Sequence, residues 1–493
     1  MYRLVLYYLI GLVMTAVVLS FLHILSFNPF LLMGSTLFLI AASYVTNTIF
    51  SLVFEAPVNV ESVYISALIL ALIVNPASSL QSLWFLFWAA TLTMATKYIF
   101  ALKKKHIFNP VAIALVLTAI GFNGSASWWV GTASLTPFVL IGGMLIVRKI
   151  KREDLVITFF TIAFLTIAIF TTIAGGNAVN ILFRLILNSS LLFLGFVMLT
   201  EPLTTPPTWE LQVLYGAIVG FLFAPQIHIL GIYSTPELAL CVGNIFVYLV
   251  SPKYKLFLRL KEKIRYGTDV LDFIFPLEKK LNYIPGQYME WTLDHHNPDS
   301  RGNRRYLTIA SSPTEDTLHL GVKFYPNGSS FKKSLATLDV KNPIVGGQLA
   351  GDFCLPKNKR EKCVFIAGGI GITPFRSMIK YLVDRKEPRD IILFYVNKHA
   401  DEIAYTDIFE QARAELGIRT VYTLTDQSAI PQGWTGRMGR LSERMIQQEV
   451  ADYRDRIYYL SGPFGMVTGD KKILREMGVP DSHIKTDYFP GFA

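Results

Sequence analysis

Apolar runs near 4–27, 30–54, 58–74, 81–100, 110–121, 128–147, 154–174, 180–200, 211–225 and 236–250 follow one another with short polar breaks up to about Pro252. Roughly 20 apolar residues span a bilayer, so these runs predict an all-α polytopic membrane domain of about ten helices, several of them short. The pattern then changes. From about Tyr266, short segments such as Gln287-Tyr288-Met289-Glu290-Trp291 alternate apolar and polar residues between Pro and Gly turns. That period predicts a small antiparallel β-barrel. After Glu361 come a buried-strand run, Val364-Phe365-Ile366-Ala367, a glycine turn and an amphipathic helix, then further strand and helix alternation. This is the signature of a doubly wound α/β domain. The predicted organisation is a multidomain membrane protein: 1–252 transmembrane, 253–265 linker, 266–357 β-barrel, 358–493 nucleotide-binding α/β domain.

The apolar half contains an internal repeat. Asn75-Pro76 and Glu201-Pro202 each end an apolar run and lie 126 residues apart, and each is followed 34 residues later by another proline, in Asn109-Pro110 and Thr235-Pro236. Proline suits the first position of a helix, and Asn or Thr before it caps the free amides. A shift of 126 residues superimposes the first five runs on the last five, and an odd number of spans per repeat predicts inverted halves. Broken helices at such a repeat interface are where membrane proteins hold ligands. Asn75, Asn109 and Glu201 are therefore candidate ligand contacts, with simple capping the alternative. Arg184, the one arginine inside an apolar run, is either a flavin contact or a cation reaching the surface. Lys97, at a helix end, is expected to snorkel.

Composition agrees with a membrane protein: 52% of residues are hydrophobic and the formal net charge is +10. Nucleic acid is excluded as a partner, because many of the cations flank apolar runs. With the N-terminus inside, Lys97, Lys103, Lys104, Lys105, Arg148, Lys149, Lys151, Arg152, Lys253 and Lys255 all face the cytoplasm. The expected location is the inner cell membrane, multi-pass, with both termini cytoplasmic. Met1-Tyr2-Arg3 leads into an apolar run without a small-residue cleavage site, which predicts a retained first span. Cys241, Cys354 and Cys363 are too scattered for an iron–sulfur or zinc site, so no metal is expected.

The segments IFNPVAIAL, GGNAVN, FVMLTEPLTTPPT, LYGAIVG and GIYSTPELALCVGNIF resemble the D subunit of the Rnf electron-transport complex and the B subunit of the sodium-pumping NADH:quinone reductase. The resemblance covers about half the chain. It implies a ten-helix fold holding riboflavin-type cofactor and FMN esterified to a threonine. The outer loop Phe122-Asn123-Gly124-Ser125-Ala126-Ser127 lacks the acidic residue and the threonine of that motif. Ser127 is what remains at that place, and non-covalent FMN or riboflavin is expected.

In the soluble half, Arg305-Tyr306-Leu307-Thr308 sets a cation and hydroxyls at a strand end, suited to a diphosphate and a flavin edge. Gly328, Ser329 and Ser330 open a helix whose free N–H groups suit phosphate. Gly368-Gly369-Ile370-Gly371-Ile372-Thr373-Pro374 follows the first strand of the α/β domain, where absent side chains let a pyrophosphate approach the backbone. Ser461-Gly462-Pro463-Phe464-Gly465-Met466 repeats that design. A single such stretch is commonly structural. Together they resemble the ferredoxin–NADP reductase superfamily across nearly all of 255–493. The resemblance implies FAD contacts from Arg305, Tyr306 and Thr308, diphosphate contacts from Ser329 or Ser330, and nicotinamide nucleotide contacts from Gly368, Gly369, Gly371, Thr373, Pro374, Ser461, Gly462, Pro463 and Met466. Thr308, Ser461 and Phe489, the last as a ring cover, are the residues placed at the chemistry. Leu307 departs from the family's stacking aromatic, and Ser461 from its cysteine. Asn397-Lys398-His399 lacks an arginine cluster for a 2′-phosphate, which favours NADH over NADPH.

The two halves together predict a transmembrane NAD(P)H:acceptor oxidoreductase. Electrons pass from cytoplasmic NADH through FAD and membrane flavin to an acceptor in or across the bilayer: a flavin, quinone, metal or redox protein. The rivals are a haem-based ferric reductase or NADPH oxidase relative, an inner-face NADH:quinone reductase without electron crossing, and a transporter with a regulatory soluble domain.

Overall fold

The structure, a computed structural model, describes residues 2–54, 60–102, 105–122, 124–150, 152–229, 231–251, 255–295, 298–299 and 302–489. The chain divides into two compact units, Met1–Lys255 and Leu256–Ala493.

The first unit is helical. Its helices are α1 (Tyr2–Phe21), α2 (Pro29–Val53), α3 (Val60–Ile73), α4 (Leu80–Ile99), α5 (Pro110–Phe122), α6 (Thr136–Ile150), α7 (Glu153–Ile173), α8 (Ala178–Leu187), α9 (Leu191–Phe193), α10 (Trp209–Leu222) and α11 (Pro236–Val250). Two prolines start helices as the sequence predicts. Asn109 accepts from the amides of Val111 and Ala112 at 3.1 Å each to open α5, and Thr235 accepts from Leu238 at 3.2 Å to open α11. Two do not. Ser79 and Ser82 form a capping box that starts α4 at Leu80, beyond Pro76, and Pro202 opens only the short 3-10 turn Pro202–Thr204 before α10 begins at Trp209. At Pro76 the better cap, Ser79, lies downstream of the proline, whereas Thr208, which precedes α10, makes no side-chain cap.

Packing follows the repeat. α2 packs on α4 as α7 packs on α10, α4 on α5 as α10 on α11, and α1 on α3 as α6 on α9. The eighth run is not one helix: α8 and the segment Leu191–Met198 are bent by 61°, and Leu194–Met198 is π-helical. Polar side chains at 188–190 cause the break. Ser189 Oγ donates to Leu185 O and accepts from the Leu191 amide, while the Asn188 side chain accepts from Ala133 N. Gly131 packs against the break so closely that a Cβ there would lie 2.1 Å from Ser189 O. Among the described residues, three helices are by length and composition apolar enough to cross a membrane, or four if the bent pair is one span.

The second unit has two parts. Strands β1 (Leu256–Leu258), β2 (Glu262–Tyr266), β3 (Val270–Pro276), β4 (Tyr288–Thr292), β5 (Arg304–Thr308), β6 (Thr317–Lys323) and β7 (Ile344–Ala350) form two antiparallel sheets, ordered β6-β3-β2 and β1-β7-β4-β5, with α12 (Ser330–Ala336) alongside. They enclose one core that includes Phe273, Phe275, Trp291, Phe331 and Leu335. The rest is a six-stranded parallel sheet, ordered β11-β10-β9-β8-β12-β13. Its strands are β8 (Cys363–Gly368), β9 (Ile391–Asn397), β10 (Arg419–Leu424), β11 (Arg437–Met438), β12 (Ile457–Pro463) and β13 (Ile484–Phe489). Helices α13 (Thr373–Arg385), α14 (Thr406–Leu416), α15 (Glu443–Glu449) and α16 (Phe464–Glu476) complete it. Strand order reverses between β8 and β12, and a ligand crevice forms at such a switch point.

On α16, Asp470 is buried and its Oδ2 has no hydrogen-bond partner among the described residues. Burial pushes this carboxyl up to about 7 from its ordinary 3.8. Because the folded state holds the proton more tightly, the stability it confers is complete below pH 3.8 and is lost as pH rises through 7. Asp470→Asn is expected to stabilise the protein at pH 8 by up to roughly 4 kcal/mol and to flatten the dependence between pH 4 and 7. Thermal unfolding of both forms at pH 5 and pH 8 checks this.

Candidate functional site

In the helical unit, polar side chains meet where the broken eighth run ends. Glu201 does not cap with its side chain. Its Oε2 accepts from Asn109 Nδ2 at 2.7 Å and from Thr204 Oγ1 at 3.3 Å, and Thr205 Oγ1 donates to its backbone carbonyl. The Asn109 amide in turn donates to Asn244 Oδ1 at 2.7 Å, and Asn244 Nδ2 donates to Tyr215. A cleft opens on this cluster, lined by Asn109, Thr200, Glu201, Ser62, Ser66 and apolar side chains including Phe196 and Ile69. Few polar groups among apolar walls is the usual lining of a small-molecule site.

The repeat register brings Asn109 and Glu201 together and leaves the other candidates apart. Asn75 is exposed, and Arg184 is exposed on α8, a helix with no buried residues. Ser127 donates to Ile73 O at 3.2 Å. Lys97 corrects the snorkelling expectation: it is buried, and its Nζ donates to Ser62 O and Ser62 Oγ at 2.9 and 3.1 Å. A lysine four residues short of the polar break cannot reach water when a neighbouring helix offers a carbonyl first. The sequence pattern also passed over Glu237, buried on α11, which accepts from Trp128 Nε1 at 2.6 Å. Its signal was available, since it is a second carboxylate beside a helix-starting proline.

In the second unit, β5 carries Arg305, Tyr306, Leu307 and Thr308. Leu307 packs against the core between the antiparallel sheets. Tyr306 is 42% exposed, lies edge-on to Tyr288 with ring centroids 5.8 Å apart, and its hydroxyl sits 3.0 Å from Glu290 Oε2 and 2.9 Å from Gln348 Oε1. The aromatic ring on the open side is thus Tyr306, and Thr308 is buried opposite Tyr288. Arg305 lies 5.2 Å over the Phe331 ring and donates to Asp299 Oδ1 at 3.2 Å. Asp299 Oδ2 accepts from the Ser330 amide at 3.2 Å, while Ser329 caps α12 through Lys332 N and Gly328 makes the turn before it. A carboxylate therefore already sits between Arg305 and the start of α12, which shows that an anionic group fits there. Asp299 was not legible in the sequence, because nothing in a loop position announces a pairing across 31 residues.

Past that strand lie the two glycine turns. Strands β8 and β12 are neighbours and parallel, so the turns that follow them meet at the switch point. A Cβ on Gly371 would lie 2.2 Å from Ser461 O, and one on Gly368 would lie 2.4 Å from Met466 Sδ. Gly369 has φ +53 with open space around it. Thr373 donates to Ile370 O at 3.2 Å and, with Pro374, starts α13. Ser461 is fully buried and its Oγ has no partner among the described residues. Gly462 and Pro463 end β12, whose backbone pairs with Phe489; the Phe489 side chain lies outside what is described.

A backbone bared by glycine at the switch point of a parallel sheet, beside an antiparallel unit with its own anion cradle, defines an NAD(P)H-dependent flavoprotein oxidoreductase. Residues 365–472 match the oxidoreductase NAD-binding domain family. NADH-cytochrome b5 reductase 1 of Emericella nidulans is 30% identical over 231 residues, covering 44% of this chain and 73% of that protein. The glycine betaine monooxygenase reductase subunit of Chromohalobacter salexigens is 26% identical over 246 residues, covering 47% of this chain and 63% of that protein. Among solved structures, the cytochrome b5 reductase domain of Ulva prolifera nitrate reductase aligns at TM-score 0.41 and 24% identity, over 48% of this chain and 98% of that one. Through its C-terminal half the chain belongs to the cytochrome b5 reductase family, within the ferredoxin–NADP reductase superfamily.

Arg305→Ala removes a cation from the Asp299–Ser330 cradle. A charge-assisted contact is worth about 1.5–3 kcal/mol, so FAD affinity is expected to fall roughly tenfold or more. Fluorescence titration of flavin-stripped protein measures this, and unchanged affinity would remove Arg305 from the site.

Proposed function

We propose that this protein is a transmembrane NADH:acceptor oxidoreductase that passes electrons from the reductase unit into a flavin held by the helical unit, and from there to an acceptor in or across the membrane. The observation that carries this reading is the Glu201–Asn109 cluster facing a cleft inside an apolar unit of the same chain. A hydrocarbon core of roughly 30 Å is too thick for electrons to cross without a carrier inside it. The apolar walls suit an isoalloxazine ring, and Asn109, Thr200, Ser62 and Ser66 suit its polar edge. FMN or riboflavin, bound without a covalent link, is the group proposed there. The repeat-related helix end at Asn75-Pro76 is proposed as a second flavin contact at the outer face, with Arg184 assigned to that same face.

In the reductase unit, Arg305, Ser329 and Ser330 would hold the FAD diphosphate, Tyr306 would cover the flavin in place of the aromatic that Leu307 lacks, and Thr308 would meet its edge. Gly368, Gly369 and Gly371 would admit the nucleotide pyrophosphate, and the Ser461 hydroxyl, unpartnered among the described residues, would serve the nicotinamide. FAD, when bound, supplies the capacity to take a hydride, two electrons with one proton, and release electrons singly. NADH is preferred to NADPH. Asp426, at the end of β10 and 3.9 Å from His399, is held below the usual carboxylate range by hydrogen bonds from Ser428 and opposes a 2′-phosphate.

Histidine placement supports flavin over haem. His23 follows α1, while His106 and His228 lie in two-residue strands, so none of the three is on a helix facing another. Purified full-length protein is therefore expected to release FAD and additional flavin on acid extraction, without a Soret band. A stoichiometric Soret band would replace this reading with the haem rival.

A further inference from the structure

Within the reductase unit, the flavin-side strand and the nucleotide-side helix are joined by buried polar contacts that none of the cofactor contacts requires. Arg376, one turn into α13, is 4% exposed. Its guanidinium grips Glu315 in a fork, Nη1 to Oε2 at 2.5 Å and Nη2 to Oε1 at 2.9 Å. Nη1 also donates to Ala310 O at 3.0 Å. The adjacent Ser377 donates to Ser311 O, which Tyr283 also contacts at 2.7 Å. Glu315 Oε2 accepts from the Ser312 amide at 2.6 Å, closing the turn after β5. Tyr405 packs beneath, with the Arg376 cation 5.4 Å from its ring.

The geometry points to Arg376 as a positioning residue for hydride transfer: with Glu315 it ties the segment following Thr308 to the helix that opens at Gly371-Thr373, and so fixes the spacing between the flavin and nicotinamide sites. A bidentate pair holds direction as well as distance. Both termini of this link matter. Residues 309–312 directly follow the strand assigned to the flavin edge, and α13 starts at the turn that admits the pyrophosphate. A displacement of about 1 Å between reacting groups is enough to cost on the order of 100-fold in rate. The assignment rests on the flavoreductase reading of this unit.

The test uses full-length protein and two variants, Arg376→Lys, which keeps the charge and loses the fork, and Glu315→Gln, which keeps the shape and loses the charge. Four quantities are read: FAD per protein, NAD⁺ affinity, the flavin–nicotinamide charge-transfer absorbance, and the rate of FAD reduction at saturating NADH. Both variants are expected to retain FAD and to bind NAD⁺ within about twofold of wild type, since neither residue is assigned to a cofactor. Reduction at saturating NADH is expected to fall about tenfold or more, with a weaker charge-transfer band. Glu315→Gln guards against misfolding of the lysine variant, and amide exchange at 310–315 reports the loosened turn directly. Unchanged reduction rate and band in variants that hold FAD would overturn the assignment, as would a rate loss that only mirrors FAD loss. Wild-type protein unable to bind FAD would overturn the flavoreductase reading together with it.

Discussion

Gly371→Ala is expected to abolish NADH oxidation while leaving FAD bound. The added methyl would stand 2.2 Å from Ser461 O, 2.6 Å from Ser461 C and 2.8 Å from Gly462 Cα. All three are backbone atoms of a strand end buried between neighbours, so no side chain can swing aside. Overpacking of this kind costs about 1–3 kcal/mol. The cheapest relief is for the 369–372 turn to move away from β12, which pulls the two halves of the nucleotide site apart. At least a 100-fold loss in the rate of FAD reduction by NADH is expected from such a misplacement. Gly469→Ala, on α16 and assigned to no cofactor, is the control. A Cβ there meets nothing within 4 Å. Stopped-flow reduction should separate the two variants by an order of magnitude or more; equal rates would place the nucleotide elsewhere.

Glu201→Ala is expected to stop electron delivery beyond the reductase unit without affecting NADH oxidation by an artificial acceptor on that side. Removing the carboxylate strands the Asn109 amide group, which is 3% exposed and donates to it at 2.7 Å. An unsatisfied buried partner of a charged group costs about 1.5–3 kcal/mol, or roughly 10- to 150-fold in affinity for whatever the cleft holds. Extractable flavin should fall from the full-length protein to the FAD content alone. Glu201→Gln retains an acceptor for Asn109 and is expected to be intermediate. Retention of all flavin in Glu201→Ala would detach this cluster from the cofactor.

What the sequence made legible was local. Apolar run length predicted α1, α2 and α7, because the bilayer imposes one length on every span. Asn109-Pro110 and Thr235-Pro236 were readable as helix starts, since cap and proline lie within three residues of each other. Pro76 misled because the Ser79 capping box lies a few residues on, and Pro202 because only a 3-10 turn follows it; a proline does not by itself decide where helix begins. The three polar residues at 188–190 were the available sign that the eighth run breaks. The glycine turns were legible because their chemistry is that of the backbone. Contacts between distant segments were not. Lys97 with Ser62, Asn109 with Glu201 and Arg376 with Glu315 are separated by 35, 92 and 61 residues. No periodicity relates such partners, and only the fold brings them together.

The proposed direction of electron flow is from cytoplasmic NADH toward the opposite face of the membrane. On the proposed topology, with the lysine and arginine distribution placing both termini inside, the NADH site would be cytoplasmic and the acceptor would be reached through the bilayer. In sealed vesicles with the reductase unit facing out, added NADH should reduce an impermeant acceptor trapped in the lumen, and Arg184→Ala should slow that reaction while leaving oxidation by an external artificial acceptor intact. Lumenal acceptor that stays oxidised while membrane quinone is reduced would contradict electron crossing and assign the protein to inner-face quinone reduction instead.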